Sequence, residues 1–476
     1  MKKIICMALV LLMLTGTLLA CKDSTKDPDT SESKSEQSQP DVSDSGSSDE
    51  PEKEIEIKDF SINGQKRDYN MLVKGGREHF MDADTVSADR IAKATYTRNS
   101  FIEDNFGVSI NMTVLTGDDT SQWTTILSAA SGDYEIVCPD YWWQFERLGY
   151  FVNLQEREEL DFTDDWWYSG WNDIMTVGGK QYSAVGDLNL DVWENLEMMF
   201  FNTAMEDAIG ADIHQLVYNK EWTIDKMMTL GKQASAGLDT ESTDDDVYGV
   251  WYNYHSFSAQ LFSAGLQLID VSDNRIDVVA QSRAVNIDIT DACRALKHDD
   301  ATYYDKNLTG DGSIGNRLFS TGKVMFYGTA LKALKTLKME GFGVVVMPKY
   351  DKDYEHVTTG YGLASTAIPL IAEDYGFSAT ILNALNYYSG DVVSEYYDVV
   401  LKTKEAPDPD SSAMIDLARD SMHYDLAWVM DDGSNGLGLY AAFEESTVEK
   451  TGQVQIDTVM TSVTTKIAEL IAYYER

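Results

Sequence analysis

The chain has 476 residues, 43% of them apolar, enough for two or three cores of roughly 100–200 residues each. Acids outnumber bases, 79 Asp+Glu against 38 Lys+Arg, for a net charge of −41. That balance excludes nucleic acid as a partner and disfavours adsorption to an anionic membrane surface, since both need clustered cations.

In chain order, Lys2 and Lys3 precede an apolar run from Ile4 to Leu14, and Leu18-Leu19-Ala20-Cys21 follows. A positive start, an apolar stretch and small residues before a cut mark a signal peptide over residues 1–20. A Cys directly after the cut resembles the bacterial lipobox, which implies lipidation of Cys21. The competing reading is an uncleaved membrane anchor, but the run is short for a span and is broken by Thr15, Gly16 and Thr17. Residues 22–54 contain a single apolar residue, Val42. Such a stretch buries too little to offset chain entropy, and 21–57 reads as a lipidated Cys with a disordered tether.

Ordered patterning begins near Ile55. Arg67–Val73 reads as a strand closed by Gly75-Gly76, residues 87–106 as a helix closed by Gly107, and Val108–Val114 as an alternating strand. Trp123, Ile126, Leu127 and Ala130 mark a second helix, and Tyr134–Cys138 a strand stopped by Pro139. The rhythm returns with a strand at Met198–Asn202 and a helix opened by Thr223 as N-cap. A strand at Val324–Tyr327 ended by Gly328, a helical stripe through Ala330, Leu331, Leu334 and Leu337, and a strand at Phe342–Met347 follow. A long helix covers Val454–Tyr474. Strand–helix alternation predicts an α/β fold with mostly parallel sheets in two lobes.

Several segments then point to a family. Thr97–Val108, Gly178-Gly179-Lys180-Gln181-Tyr182 followed by Phe200-Phe201-Asn202, and Glu221-Trp222-Thr223 come in order. Phe319–Phe326 supplies F-x-x-G-K-x-x-F, and Val346-Met347-Pro348-Lys349-Tyr350 follows it. Together, behind a lipobox, they resemble the sugar-binding, family 1-like extracellular solute-binding lipoproteins of ABC importers. Met347 departs from the family's first Pro in the last motif. The resemblance implies a two-lobed periplasmic-binding-protein-like fold (type II), hinged by two or three crossings, with the ligand in the cleft between lobes. By the same analogy, one lobe holds 58–190 plus 360–405 and the other 197–357 plus 410–476. It further implies a monomer on the outer face of a bacterial membrane, with a carbohydrate ligand and permease subunits as partners.

A sugar presents C–H faces to aromatic rings and hydroxyls to carboxylates and amides, so mixtures of the two at strand ends are the candidates. Pro139-Asp140-Tyr141-Trp142-Trp143 follows a strand directly; Asp140 offers two oxygens, and Trp142 and Trp143 offer stacking faces. Asp187 and Trp193 precede the crossing strand. Trp251 and Tyr252 belong to an aromatic run, Tyr327 ends a strand, and Tyr361 sits between Gly360 and Gly362 at the return crossing. Each has a rival reading as core. His255 reads as a bonded structural residue, and Trp166, Trp167 and Trp171 as lobe core.

Four cysteines are too few for a disulfide scaffold, and Cys138 and Cys293 read as free and buried. The six His never fall at i, i+4, so H-E-x-x-H is absent, as are G-x-S-x-G and a P-loop. Asp239–Asp246 has the acids of a calcium loop, but Asp244 stands where the loop needs Gly. No metal, no cofactor and no enzymatic activity are expected. The alternatives are a surface lectin or adhesin, a carbohydrate-active enzyme with two carboxylates, and a binder of peptide or another polar solute.

Overall fold

The computed structural model describes residues 54–83, 89–116, 120–129, 132–139, 146, 148–238, 246–272, 275–305, 313–362, 365–430, 436–449 and 456–475. The segment 55–476 forms one compact unit. Strand β1 (Arg67–Lys74) leads to α1 (Arg90–Phe106), β2 (Val108–Leu115), α2 (Thr120–Leu127) and β3 (Ile136–Cys138). Local chemistry sets the ends of α1. The Asp89 carboxylate accepts from the Ala92 N–H at the start, and Gly107 closes the helix at φ 65°.

These three strands form a parallel sheet in the order β2-β1-β3, with Arg67 opposite Val108 and Val73 opposite Cys138. Parallel neighbours need crossover helices, and α1 supplies the first. A bridge from Val137 to Ala367 adds an antiparallel edge from much later in the chain.

The second sheet uses β4 (Glu197–Asn202), β5 (Tyr248–Asn253), β8 (Thr302–Asp305), β9 (Val324–Ala330) and β10 (Phe342–Val345), in the order β10-β4-β9-β5-β8. Here the expectation of mostly parallel strands needs correction. β4 runs antiparallel to both β9 and β10, while β5 is parallel to β8 and β9. A small hairpin, β6 (Ile269–Ser272) and β7 (Arg275–Val278), stands apart. Helices α3 (Ile224–Ala234), α4 (Tyr254–Ser263) and α5 (Val285–Lys297) flank these strands. Thr223 caps α3 as read from the sequence, its hydroxyl accepting from Lys226 N–H.

Two strand boundaries differ from expectation. β9 continues through Gly328, because a Cβ there would come within 2.7 Å of the Tyr252 ring; the glycine admits the ring rather than ending the strand. The stripe after it makes only a short 3₁₀ turn, Leu331–Lys335. Beyond the second sheet come α6 (Tyr375–Tyr387), the π-type helix α7 (Glu395–Glu405), α8 (Pro409–Asp420) and the C-terminal α9 (Ile456–Tyr474). α6 covers the first sheet, where Tyr69 donates to the Ser378 carbonyl at 3.1 Å. α8 meets the second sheet, the Val344 N–H donating to Ser411 Oγ at 3.0 Å. The last turn of α9 returns to the segment 146–182: the Tyr474 hydroxyl bonds to Glu146, and Tyr473 lies 4.8 Å from Tyr182 between ring centroids.

The segments 184–197 and 359–366 join the two sheets side by side. Ala184 N–H donates to Thr366 and Glu197 N–H to Thr359, both at 2.9 Å. Gly360 is required where they touch, since a Cβ would sit 2.5 Å from the Asn195 carbonyl oxygen. Cys138 and Cys293 are buried, and neither forms a disulfide. Among the described residues, no helix is long and apolar enough to cross a membrane.

Candidate ligand site

The carboxyl ends of β1, β5 and β9 all converge on these crossing segments. β1 runs out through Gly75-Gly76 into Arg77. The guanidinium donates to Asp191 Oδ2 at 2.9 Å and to the Gly362 carbonyl at 2.7 Å. Both partners lie on the crossings. On the other side, β5 ends at Asn253, which caps α4 in a reciprocal box with Ser256. This cap fixes His255 in the first turn, where its ring stacks on Tyr361 at 3.8 Å and 27°. Tyr361 also meets Trp428 at 5.4 Å, and the Trp428 indole N–H donates to the Gly360 carbonyl at 2.9 Å.

Past β9, Lys332 donates to Asn195 Oδ1 at 2.7 Å, and Lys335 pairs with Glu194 Oε1 at 3.0 Å. His79 approaches the same Glu194 oxygen at 3.4 Å. The short helix Asp191–Glu194 and Asn195 are therefore gripped by Arg77 and His79 from the first sheet and by Lys332 and Lys335 from the second. Burial alone would raise the Glu194 carboxyl. The His79 hydrogen bond and the Lys335 charge outweigh it and hold it at about 2. Glu197 is the opposite case: burial pushes it up to about 8, against the pull of Lys332. Burial and then the Lys332 charge push His255 down to about 4.

The sequence candidates fall in four places. Asp140, Trp142 and Trp143 lie outside the described residues; β3, which precedes them, ends beside the end of β1. Tyr361 lies half-buried among the crossing residues. Asp187 and Trp193 lie elsewhere. Trp193 stands two residues from Asp191, about 200° around a helix, and so faces away from Arg77. It lines a cavity of about 440 Å³ with Trp167, Tyr168, Asp187, Tyr397 and Arg419. There the Tyr168 hydroxyl donates to Asp187 Oδ1 at 2.8 Å and accepts from the Trp193 indole at 2.9 Å. Burial pushes the Asp187 carboxyl up to about 7 despite the Tyr168 bond.

Trp251, Tyr252 and Tyr327 are packed within the second sheet rather than on an open face. They are 1%, 0% and 2% exposed, inside the second sheet. Trp251 lies 4.9 Å from Tyr327 on the neighbouring strand, and the Tyr252 hydroxyl donates to Gln260. Trp166, Trp167 and Trp171 are core, as read.

Sequence reading missed Arg77, Lys332 and Trp428, and gave His255 no place beside Tyr361. Only Arg77 had a local signal, a cation directly behind a glycine pair at a strand end. One grouping of metal-ligand type occurs among the described residues, His214 with Asp408 and Asp410, their ligand atoms within 4.8 Å. Asp408 already accepts from Ser411 and Asp410 from Tyr218, contacts that account for the grouping as a helix start.

No family profile and no curated protein matches the sequence. Solved structures do match in shape. One is the galacto-N-biose-/lacto-N-biose I-binding protein of an ABC transporter from Bifidobacterium longum, in complex with lacto-N-biose. It has a TM-score of 0.56 at 14% identity, over 87% of this chain and 99% of that one. The GacH receptor of Streptomyces glaucescens, described unliganded and with acarbose, gives 0.53 at 14%, over 85% and 98%. UgpB from Mycobacterium tuberculosis, in complex with glycerophosphocholine, gives 0.54 at 14%, over 85% and 98%. At such identities the likeness is one of fold, and the fold is the expected two-lobed α/β type.

Proposed function

We propose that this chain is the substrate-binding component of an ABC importer, capturing a carbohydrate, in this reading an oligosaccharide, and handing it to a membrane permease. The observation that carries this reading is the meeting of both sheets' strand ends at one hinge, where Tyr361 is only partly buried, Arg77 bonds the adjoining Gly362 and Lys332 bonds Asn195. Ligands of open α/β sheets bind beyond strand carboxyl ends, and a cleft between domains is a common pocket. Solved proteins of this fold include sugar binders of ABC transporters. In this reading 58–190 with 360–405 and 197–357 with 410–476 close over the ligand, and Asp140, Trp142 and Trp143 reach it from the end of β3. The mature chain is a monomer held outside the cell by lipid on Cys21.

A thermal-shift screen of oligosaccharides, followed by small-angle scattering, tests capture. The right sugar raises the melting temperature and shrinks the radius of gyration. Tight binding with an unchanged radius points instead to a rigid lectin, and release of reducing ends to an enzyme. Tyr361→Ala is expected to weaken binding about tenfold, the equivalent of about 1.4 kcal/mol. Asp140→Ala is expected to cost ten- to a hundredfold, through lost charge-assisted bonds of about 1.5–3 kcal/mol. Calorimetric titration reads both, and unchanged melting of the ligand-free variants separates contact from packing. For the anchor, Cys21→Ser is expected to abolish metabolic labelling by a fatty acid, and persisting label would refute lipidation there.

A further inference from the structure

The charges at the hinge run against the composition of the chain. Acids outnumber bases about two to one overall, yet Arg77, His79, Lys332 and Lys335 gather around the short stretch Asp191–Asn195 of one crossing. The two carboxylates of that stretch are already engaged. Asp191 holds Arg77 at 2.9 Å, and Glu194 holds Lys335 at 3.0 Å with His79 beside it. Lys332 is different. It is exposed, it donates to the Asn195 amide oxygen at 2.7 Å, and no carboxylate lies within ion-pair distance among the described residues. The nearby Glu197 carboxyl is fully buried, and burial pushes it up to about 8 against the pull of Lys332. His255, which also feels Lys332, is neutral and has no hydrogen-bond partner at Nδ1. Among the described residues, this cation therefore stands at the sheet ends with no carboxylate in ion-pair distance, and its partner Asn195 adjoins Gly360, the neighbour of the partly buried Tyr361.

We propose that the sugar bound here is acidic, with an anionic ring substituent seated against Lys332 while the ring lies along Tyr361. The proposal rests on the reading of this hinge as a carbohydrate site. A cation without a protein carboxylate favours a ligand that brings its own anion, and a charge-assisted bond to that group gives specificity over neutral sugars. Carboxylate, sulfate and phosphate substituents share this chemistry.

Calorimetric titration of the purified full chain distinguishes them. The probes are trimers of galacturonate, glucuronate and mannuronate, each beside its carboxyl-reduced neutral twin, together with galactotriose in plain, sulfated and phosphorylated forms. An acidic probe is expected to bind at least tenfold tighter than its neutral twin, with affinity that falls as salt rises. Lys332→Gln is expected to erase that difference and Lys332→Arg to keep it, both with parental melting of the ligand-free form. Preference for only the sulfated or phosphorylated probe supports the proposal and names the anion. A neutral twin that binds as tightly as its acidic partner overturns it and leaves the carbohydrate reading standing, as does a preference that survives in Lys332→Gln. Failure of every probe, acidic and neutral, overturns both.

Discussion

Replacing Glu146 by glutamine is expected to flatten the dependence of stability on pH and to raise the melting temperature above pH 7. Glu146 is fully buried, with one carboxyl oxygen accepting from the Tyr474 hydroxyl and the other without a partner. Burial pushes the carboxyl up to about 8, from an ordinary value of 4.5, although the Tyr474 bond opposes the rise. Between those two values the folded chain keeps a proton that the unfolded chain releases. Stability therefore falls as pH climbs from about 4.5 to about 8, and the effect vanishes where both states are protonated. Glutamine has no proton to lose. The variant and the parent should converge toward pH 4.5, and by pH 8 the variant should lead by on the order of 4 kcal/mol, at about 1.36 kcal/mol for each unit of displacement. Scanning calorimetry across that range reads the difference. Parallel profiles would mean that Glu146 is ionised in the folded chain.

Arg77→Ala is expected to cost about 3–5 kcal/mol, because it takes the guanidinium away from a carboxylate, Asp191, that water scarcely reaches. The side chains of the pair are 11% and 5% exposed. Arg77 also ties the end of β1 to the return crossing through the Gly362 carbonyl, so the loss falls on the junction of sheet and hinge. Arg77→Met with Asp191→Leu removes both charges and should recover much of that loss. Urea unfolding of the single and double variants separates the two effects. A single-variant loss under about 1 kcal/mol would place the pair in effective contact with solvent.

The legible parts of this fold were those that local chemistry dictates. Gly75-Gly76, Gly107 and Thr223 punctuate their elements where the sequence says they do, because a positive φ or a capping oxygen is needed at one position regardless of the rest. Gly328 misled for the same reason: what it accommodates is the Tyr252 ring from another strand, and sequence gives no register. The aromatic run at 248–254 was dense because β5 is covered on both faces, and Trp251 faces Tyr327 across a pairing between strands far apart in the chain. At the hinge, Tyr361 was legible between two glycines. Arg77 was not, since the carbonyl that defines its role lies 285 residues away. Lys332 and Trp428 likewise gain their neighbours only from the crossings. The flanking pair Asp187 and Trp193 was found as a pair, but the turn of one short helix carries them to the opposite face.

The burial of both native cysteines of the folded unit makes motion between the two sheets directly measurable. Cys138 and Cys293 are 1% and 0% exposed, and burial pushes the Cys293 thiol far above its ordinary range, suppressing the thiolate that reacts with maleimides. Dyes added to a folded, soluble form lacking Cys21 should therefore find only cysteines placed by design. One on the exposed face of α1 and one on that of α3 would report the distance between the two sheets by energy transfer, molecule by molecule, with both native cysteines left in place.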